Sequence, residues 1–360
     1  MKLNLKRKIL APFLVLVLLL GSSACTRGTN PSNPLDSSAA IPVLTPVPFT
    51  PEPTAEPYQR IQIPTSDQDK GQLVLVNYQY SFNHTDDMIT EPIAVDANSI
   101  LLVDRVDIEL PSETVEALRP LAEKFYEHCG HRLYITSGYR TEAYQQQLYN
   151  EYEAENGAEL AMQYVAQPGT SEHHTGLAVD LSTLDANGQR APLANHTEAD
   201  WFDIACTDYG FILRYPIGTQ EFTHIQYEPW HFRYVGTETA HAVTALGMTY
   251  EEYIEHIKQY SVEGGMLYVR DEALLSHIAY DENGKPTLQL PEGYIDVAFY
   301  NEAENSIALE NGSAGELDGA VMWYVSASSD AMTEISIPRC ITEYAVYGTN
   351  CGGFIVIGQV

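Results

Sequence analysis

Apolar positions after Pro111 recur at helical spacing: Val115, Leu118, Leu121 and Phe125 fall on one stripe of ETVEALRPLAEKFYEHC, and Gly130 supplies a stop. RLYITS then alternates, as a half-buried strand does. Thr141 is placed to cap a second helix in TEAYQQQLYNEY, and a third is expected over Ala158 to Val165, ending before Pro168-Gly169. Short β-type runs at GLAVDLS and PWHFRYVG bracket a helix around Thr197 to Tyr209, and TYEEYIEHIKQY, Thr249 to Tyr260, reads as a closing helix. Upstream, QLVLVNYQY from Gln72 to Tyr80 is a β-rich run where order is expected to begin. Helices and strands intermix without a βαβ rhythm, so the expected class is α+β.

From Ser261 the texture changes. MLYVR, YIDVAFY, AVMWYVSA and EYAVYG are separated by DENGKP, NEAEN and NGSAGELDG, which is strand and turn chemistry. A smaller β-rich unit is expected over 261–360, following a mixed helix and antiparallel-sheet unit over 71–260.

The N-terminal pattern is of another kind. Lys2, Lys6, Arg7 and Lys8 precede the apolar run Ile9 to Leu20 and then GSSAC. The run is shorter than the roughly 20 residues a bilayer span needs, and reads as an export signal over 1–24. Small residues before Cys25 resemble a bacterial lipoprotein signal, although Ser22 stands where leucine is usual. That resemblance implies that Cys25 is lipidated and becomes the N-terminus; cleavage near Ala24 to give a secreted protein is the alternative. Pro, Ser and Thr dominate the following stretch, so 25–70 is expected to be a tether in extended form.

Composition narrows the partners. With 49 acidic against 19 basic residues the formal charge is −30, which argues against nucleic acid. Beyond Cys25 the cysteines are Cys129, Cys206, Cys340 and Cys351. The last two flank a candidate hairpin with a turn at Gly348-Thr349-Asn350, so a Cys340–Cys351 disulfide is expected in an oxidising compartment; Cys129 and Cys206 are left as a second pair or as thiols.

Candidate chemistry gathers in SEHHTGLAVDLS, Ser171 to Ser182. A zinc site needs imidazoles or carboxylates converging on one ion with a position left for water. His173 and Asp180 are seven residues apart, which on one straight strand would face them oppositely, but Gly176 permits a turn between them. EPWHFRYVG adds His231, with Glu228 three residues earlier as a carboxylate suited to a general base. His174 adjoins His173, and the spacing to Gly176 favours His173. Trp230 and Tyr139 fit either a substrate groove or a packed core.

SEHHTGLAVD fits SxHxxGxAxD and EPWH fits its ExxH partner; with SGYRTEAYQQQLY and LRYP, residues 71–260 resemble the VanY-type D-alanyl-D-alanine carboxypeptidases, zinc peptidases of the LAS group. The resemblance implies Zn2+ on His173, Asp180 and His231, Glu228 as catalytic base, Arg140 over the scissile group, and Gln145 and Ser171 as substrate contacts. It further implies a hydrolase removing terminal D-alanine from peptidoglycan stem peptides, and with the N-terminal signal this activity is expected at the cell envelope, lipid-anchored to the cell membrane. An L,D-carboxypeptidase acting on tetrapeptide stems and an inactive metal-containing wall-binding lipoprotein are the alternatives.

Overall fold

The computed structural model describes residues 56–83, 89–96, 98–312 and 317–360; the export signal, Cys25 and most of the expected tether lie outside them. Among the described residues no helix is long and apolar enough to cross a membrane.

Pro57–Val360 forms one compact unit built on two sheets. The first carries the candidate chemistry and runs in the order Leu101–Val103, Arg132–Ser137, Ala178–Leu184, His231–Tyr234, Phe211–Leu213, parallel only between the first two strands. Helix Ser112–Cys129 covers this sheet with Leu118, Leu121 and Phe125, and Gly130 ends it in the left-handed conformation at φ 77°. Thr141 caps helix Glu142–Asn156, its Oγ1 accepting from the Tyr144 N–H at 3.2 Å, and helix Ala158–Tyr164 follows.

The second sheet is wholly antiparallel, in the order Ser306–Leu309, Ile295–Asn301, Met266–Arg270, Gly319–Ser326, Gly353–Gln359, Tyr344–Gly348. Its period-two pattern gives it two apolar faces. Leu267, Val269, Met322, Ile355 and Ile357 face Tyr250, Tyr253, Ile254 and Ile257 of helix Tyr250–Ile257, together with Val235 and Ala240. Met266, Tyr268, Val321, Trp323, Phe354 and Val356 face the other way, onto Ile63, Ile335 and Ile337. The break in texture at 260/261 therefore marks a change of secondary structure across a shared core.

Several expectations need correction. The tether ends earlier than residue 70: Tyr58–Pro64 is a strand pairing antiparallel with Met332–Pro338, because alternating Ile61 and Ile63 can bury against the second sheet. Gln72–Tyr80 joins no ladder; its first part, Gln72–Asn77, is buried, while Tyr78 is exposed. Its backbone is satisfied from elsewhere: Leu75 N–H donates to the Thr349 carbonyl at 3.0 Å, and the Tyr250 hydroxyl to the Leu73 carbonyl at 2.8 Å. Helix Thr237–Leu246, held between Gly236 and Gly247, has little apolar periodicity and was not anticipated.

The hairpin Tyr344–Gly348/Gly353–Gln359 forms, with Asn350 at φ 58° in the turn, but Cys340 and Cys351 are free thiols. Cys351 sits in the turn and packs with the face toward the helices. Cys340 lies before the first strand, near the opposite end, and packs on the other face. The sheet separates them, so that pair does not form. Cys129 and Cys206 are likewise free.

On helix Ala199–Ala205, burial aided by Asp200 pushes the Asp203 carboxyl up to about 7, against the pull of Lys285. The native state thus keeps a proton that the unfolded chain loses above about pH 4, so stability from this group is full at low pH and lost as pH rises toward 7. Asp203→Asn, which cannot ionise, should gain about 3 kcal/mol relative to wild type between pH 4.5 and pH 8 in denaturant unfolding. A difference that does not change with pH would contradict this account.

Candidate metal centre

Register builds the centre. In the antiparallel pairing of Ala178–Leu184 with His231–Tyr234, Asp180 lies directly across from His231. His173 arrives from a short 3-10 turn, Glu172–Thr175, which Gly176 terminates in the left-handed conformation at φ 66°, returning the chain into the strand that carries Asp180. The predicted turn is the device that brings the two ligands together.

The donor atoms converge. Asp180 Oδ1 is 3.4 Å from His173 Nε2 and 3.2 Å from His231 Nδ1, and one ligand atom from each residue lies within 4.8 Å of the others. All three residues are buried, and Asp180 Oδ1 has no hydrogen-bond partner. A buried carboxylate oxygen left unpaired between two imidazole nitrogens is costly unless a cation completes it. Two nitrogens and one oxygen form a donor set suited to a hydrolytic zinc site.

Electrostatics fit a site that takes up a cation: burial would lower the His231 pKa, but Asp180 and Glu172 raise it to about 9, so positive charge is favoured among these carboxylates. Burial, then Arg140, lowers the His173 pKa to about 4, so the ring is neutral, and its Nδ1–H donates to the Gly138 carbonyl at 2.7 Å, leaving Nε2 free to ligate. Asp180 is held ionised: burial alone would raise its pKa, but His173, His231 and Arg140 together bring it well below the usual range. Glu228 Oε2 stands 3.7 Å from His231 Nδ1, and burial chiefly, with Asp180 and Glu172 adding, raises its pKa to about 7. A carboxylate poised near neutrality suits a general base.

Arg140 lies over the same group. Its Nη2 donates to Asp180 Oδ2 at 2.8 Å, Nε to Ser137 Oγ at 2.9 Å, and Nη1 to Gln145 Oε1 at 3.4 Å. Gln145 is buried with its amide donating to the Ala166 carbonyl at 2.8 Å, so it braces Arg140. Ser171 is buried at the entry to the turn. His174 turns away, with Nδ1 donating to the Arg140 carbonyl and Nε2 accepting from the Gly169 N–H, which leaves His173 as the ligand. Exposed His224 stacks edge-on against Tyr78. Trp230 stays exposed beside Glu228, and Tyr139 and Arg140 line a cavity of about 290 Å3.

Four charged residues of the surroundings, Glu172, Arg214, Arg233 and Glu251, have no role assigned from the sequence, although Arg214 lies in LRYP. Glu172 Oε2 is 3.3 Å from His231 Nε2, while its Oε1 accepts from Arg214 Nε at 2.8 Å and Arg233 Nη1 at 3.0 Å. The Arg214 Nη1 donates to Glu251 Oε2 at 2.8 Å. HFRYV held one clue: Arg233 shares a strand face with His231, and an arginine pointing inward from a buried strand requires a carboxylate.

A model of the VanY family, described as D-alanyl-D-alanine carboxypeptidase, matches residues 107–237. The chain is 44% identical over 128 residues to the bifunctional D-Ala-D-Ala dipeptidase and D-Ala-D-Ala carboxypeptidase VanXYC of Enterococcus gallinarum, covering 35% of this chain and 67% of that protein. The chain belongs to the VanY family. A D-alanyl-D-alanine carboxypeptidase of Enterococcus faecium is 39% identical over 125 residues, or 35% of this chain and 37% of that one, and the putative carboxypeptidase YodJ of Bacillus subtilis is 37% identical over 149, or 41% and 54%. These last two matches span about half or less of the relatives' length. Among solved structures, the vancomycin resistance D,D-dipeptidase VanXYg in complex with a D-Ala-D-Ala phosphinate analogue aligns with TM-score 0.60 at 26% identity, covering 84% of this chain and 99% of that one. Residues 71–260 alone cannot supply that share, so the likeness extends past the VanY stretch.

Gly138 shows how tightly the ligand shell is built. A Cβ there would stand 2.6 Å from the Glu109 carbonyl oxygen and 3.0 Å from Leu110 Cδ2. Gly138→Ala should therefore lower stability by about 1–3 kcal/mol and, by moving the carbonyl that orients His173, weaken metal binding. Thermal unfolding and zinc titration of the purified variant test both effects; unchanged zinc affinity would show that His173 does not depend on this carbonyl.

Proposed function

We propose that this protein is a zinc D,D-carboxypeptidase that removes the terminal D-alanine from peptidoglycan stem peptides outside the cytoplasm. The observation that carries the reading is the unpaired Asp180 Oδ1 between His173 Nε2 and His231 Nδ1, with Glu228 and Arg140 beside it. Family membership and the described activities of VanXYC and the E. faecium relative support the substrate class.

His173, Asp180 and His231 would hold the ion. Zinc, when bound, supplies Lewis acidity and lowers the pKa of the attacking water. Glu228 takes a proton from that water and delivers it to the departing D-alanine amine, a double duty suited to a carboxyl whose pKa lies near 7. Arg140, fixed by Ser137 and Gln145, offers its guanidinium to the scissile carbonyl as negative charge develops or to the terminal carboxylate of the stem. Burial of the centre strengthens each of these contacts.

Glu228→Gln keeps the shape but cannot accept the proton. It should retain zinc at wild-type stoichiometry and lose turnover by 1,000-fold or more, on the order of 4 kcal/mol in the barrier; a variant that stays active removes the base assignment. Mass spectrometry of pentapeptide and tetrapeptide stems should show loss of one D-alanine from the pentapeptide. Cleavage confined to the tetrapeptide would point to L,D-specificity, and binding to sacculi without product to an inactive wall-binding protein.

The signal-like N-terminus and Cys25 support lipid anchoring at the cell membrane. Cys25→Ser should move the protein from the membrane fraction to the soluble extracytoplasmic fraction without altering its activity on soluble stems. Retention in the membrane fraction would reject the anchor.

A further inference from the structure

We propose that Glu172 is a positioning residue that fixes His231 with Nδ1 toward Asp180, and that Glu251 holds Glu172 in place through Arg214; the proposal rests on the metal-centre reading given above. An imidazole presents two nitrogens, and both edges of His231 meet a carboxylate: Nδ1 is 3.2 Å from Asp180 Oδ1 and Nε2 is 3.3 Å from Glu172 Oε2. Turning the ring over would place carbon against one or both oxygens. With Nε2–H donating to Glu172, the Nδ1 lone pair is available on the side of the other ligands, and hydrogen bonding to a carboxylate raises its basicity.

Glu172 can hold the ring only if it is itself held. Its other oxygen accepts from Arg214 Nε at 2.8 Å and Arg233 Nη1 at 3.0 Å, and all three side chains are fully buried. Arg233 is pinned in turn by the carbonyls of Gln72 and Val74, at 3.0 and 2.9 Å from its Nη2. Arg214 is closed by Glu251, which engages both of its terminal nitrogens and accepts from Asn77 Nδ2 at 3.2 Å. Two carboxylates balance two guanidinium groups, so the cluster tolerates burial as a set and loses that balance when any member is neutralised. Glu251 sits on helix Tyr250–Ile257 and Asn77 in the buried N-terminal segment, both beyond residues 107–237. The orientation of a metal ligand thus depends on elements outside the family-matched stretch.

The test is zinc affinity of the intact chain, by chelator competition, with the absorption spectrum of the Co2+-loaded protein as a second readout. Glu172→Gln should weaken zinc binding roughly 10- to 100-fold and shift the Co2+ bands, while turnover recovers substantially at saturating zinc. Glu251→Gln should act in the same direction but less, roughly three- to tenfold. A purely structural role predicts lower thermal stability with zinc affinity and Co2+ spectrum unchanged. That result for folded Glu172→Gln overturns the positioning role, and zinc affinity of Glu251→Gln within twofold of wild type overturns the relay, whether or not Glu172→Gln folds. Wild-type protein that takes up no zinc would overturn the metal centre itself, a distinct failure.

Discussion

The carboxylate of Glu172, shut away from water and ringed by Arg214, Arg233 and His231, is the constraint around which the peptidase half is arranged. Burial alone would drive such a group to take up a proton; the two arginines hold its pKa well below the ordinary range instead. An ionised group in the interior must have its partners fixed in place, and here they come from strand His231–Tyr234 and from the residue after strand Phe211–Leu213. Electrostatic necessity thereby sets where a metal ligand points.

The same requirement ties the first sheet to the core that helix Tyr250–Ile257 forms with the second sheet. Glu251 balances Arg214 from a helix whose apolar face packs on the second sheet, and the Gln72–Val74 carbonyls that receive Arg233 belong to a segment buried between the helices and that sheet. The β-rich half is in this sense structural support for the catalytic half: it presses helix Tyr250–Ile257 and the N-terminal segment against the charged cluster.

The sequence was most legible where local rules act without help. Periodicity and the Gly130 stop located helix Ser112–Cys129, Thr141 located the next, and Gly176 correctly implied the reversal between His173 and Asp180. His173 and Asp180 were legible as ligand candidates because their spacing is a short-range pattern, and His231 through the separate EPWH motif and the family resemblance. Partners separated by long stretches of chain were not: nothing near Glu172 in sequence announces Arg233, and nothing near Arg214 announces Glu251. Buried extended chain misled for a related reason, since QLVLV is apolar enough for a strand yet spends its carbonyls on Arg233 and Tyr250. The expected Cys340–Cys351 bridge failed because hairpin order says which residues are near in the chain and not which side of a sheet they occupy.

The ribbon formed by Tyr58–Pro64 and Met332–Pro338 has a mechanical meaning. Seven residue pairs secure the chain just after Pro57, whose carbonyl also accepts from the Tyr300 hydroxyl at 2.6 Å. That ribbon lies on the face of the second sheet turned away from helix Tyr250–Ile257 and the charged cluster. A pull arriving along the polypeptide from upstream is therefore borne first by a laced pair of strands and the apolar layer beneath them. The candidate metal ligands His173, Asp180 and His231 are kept out of the line of tension.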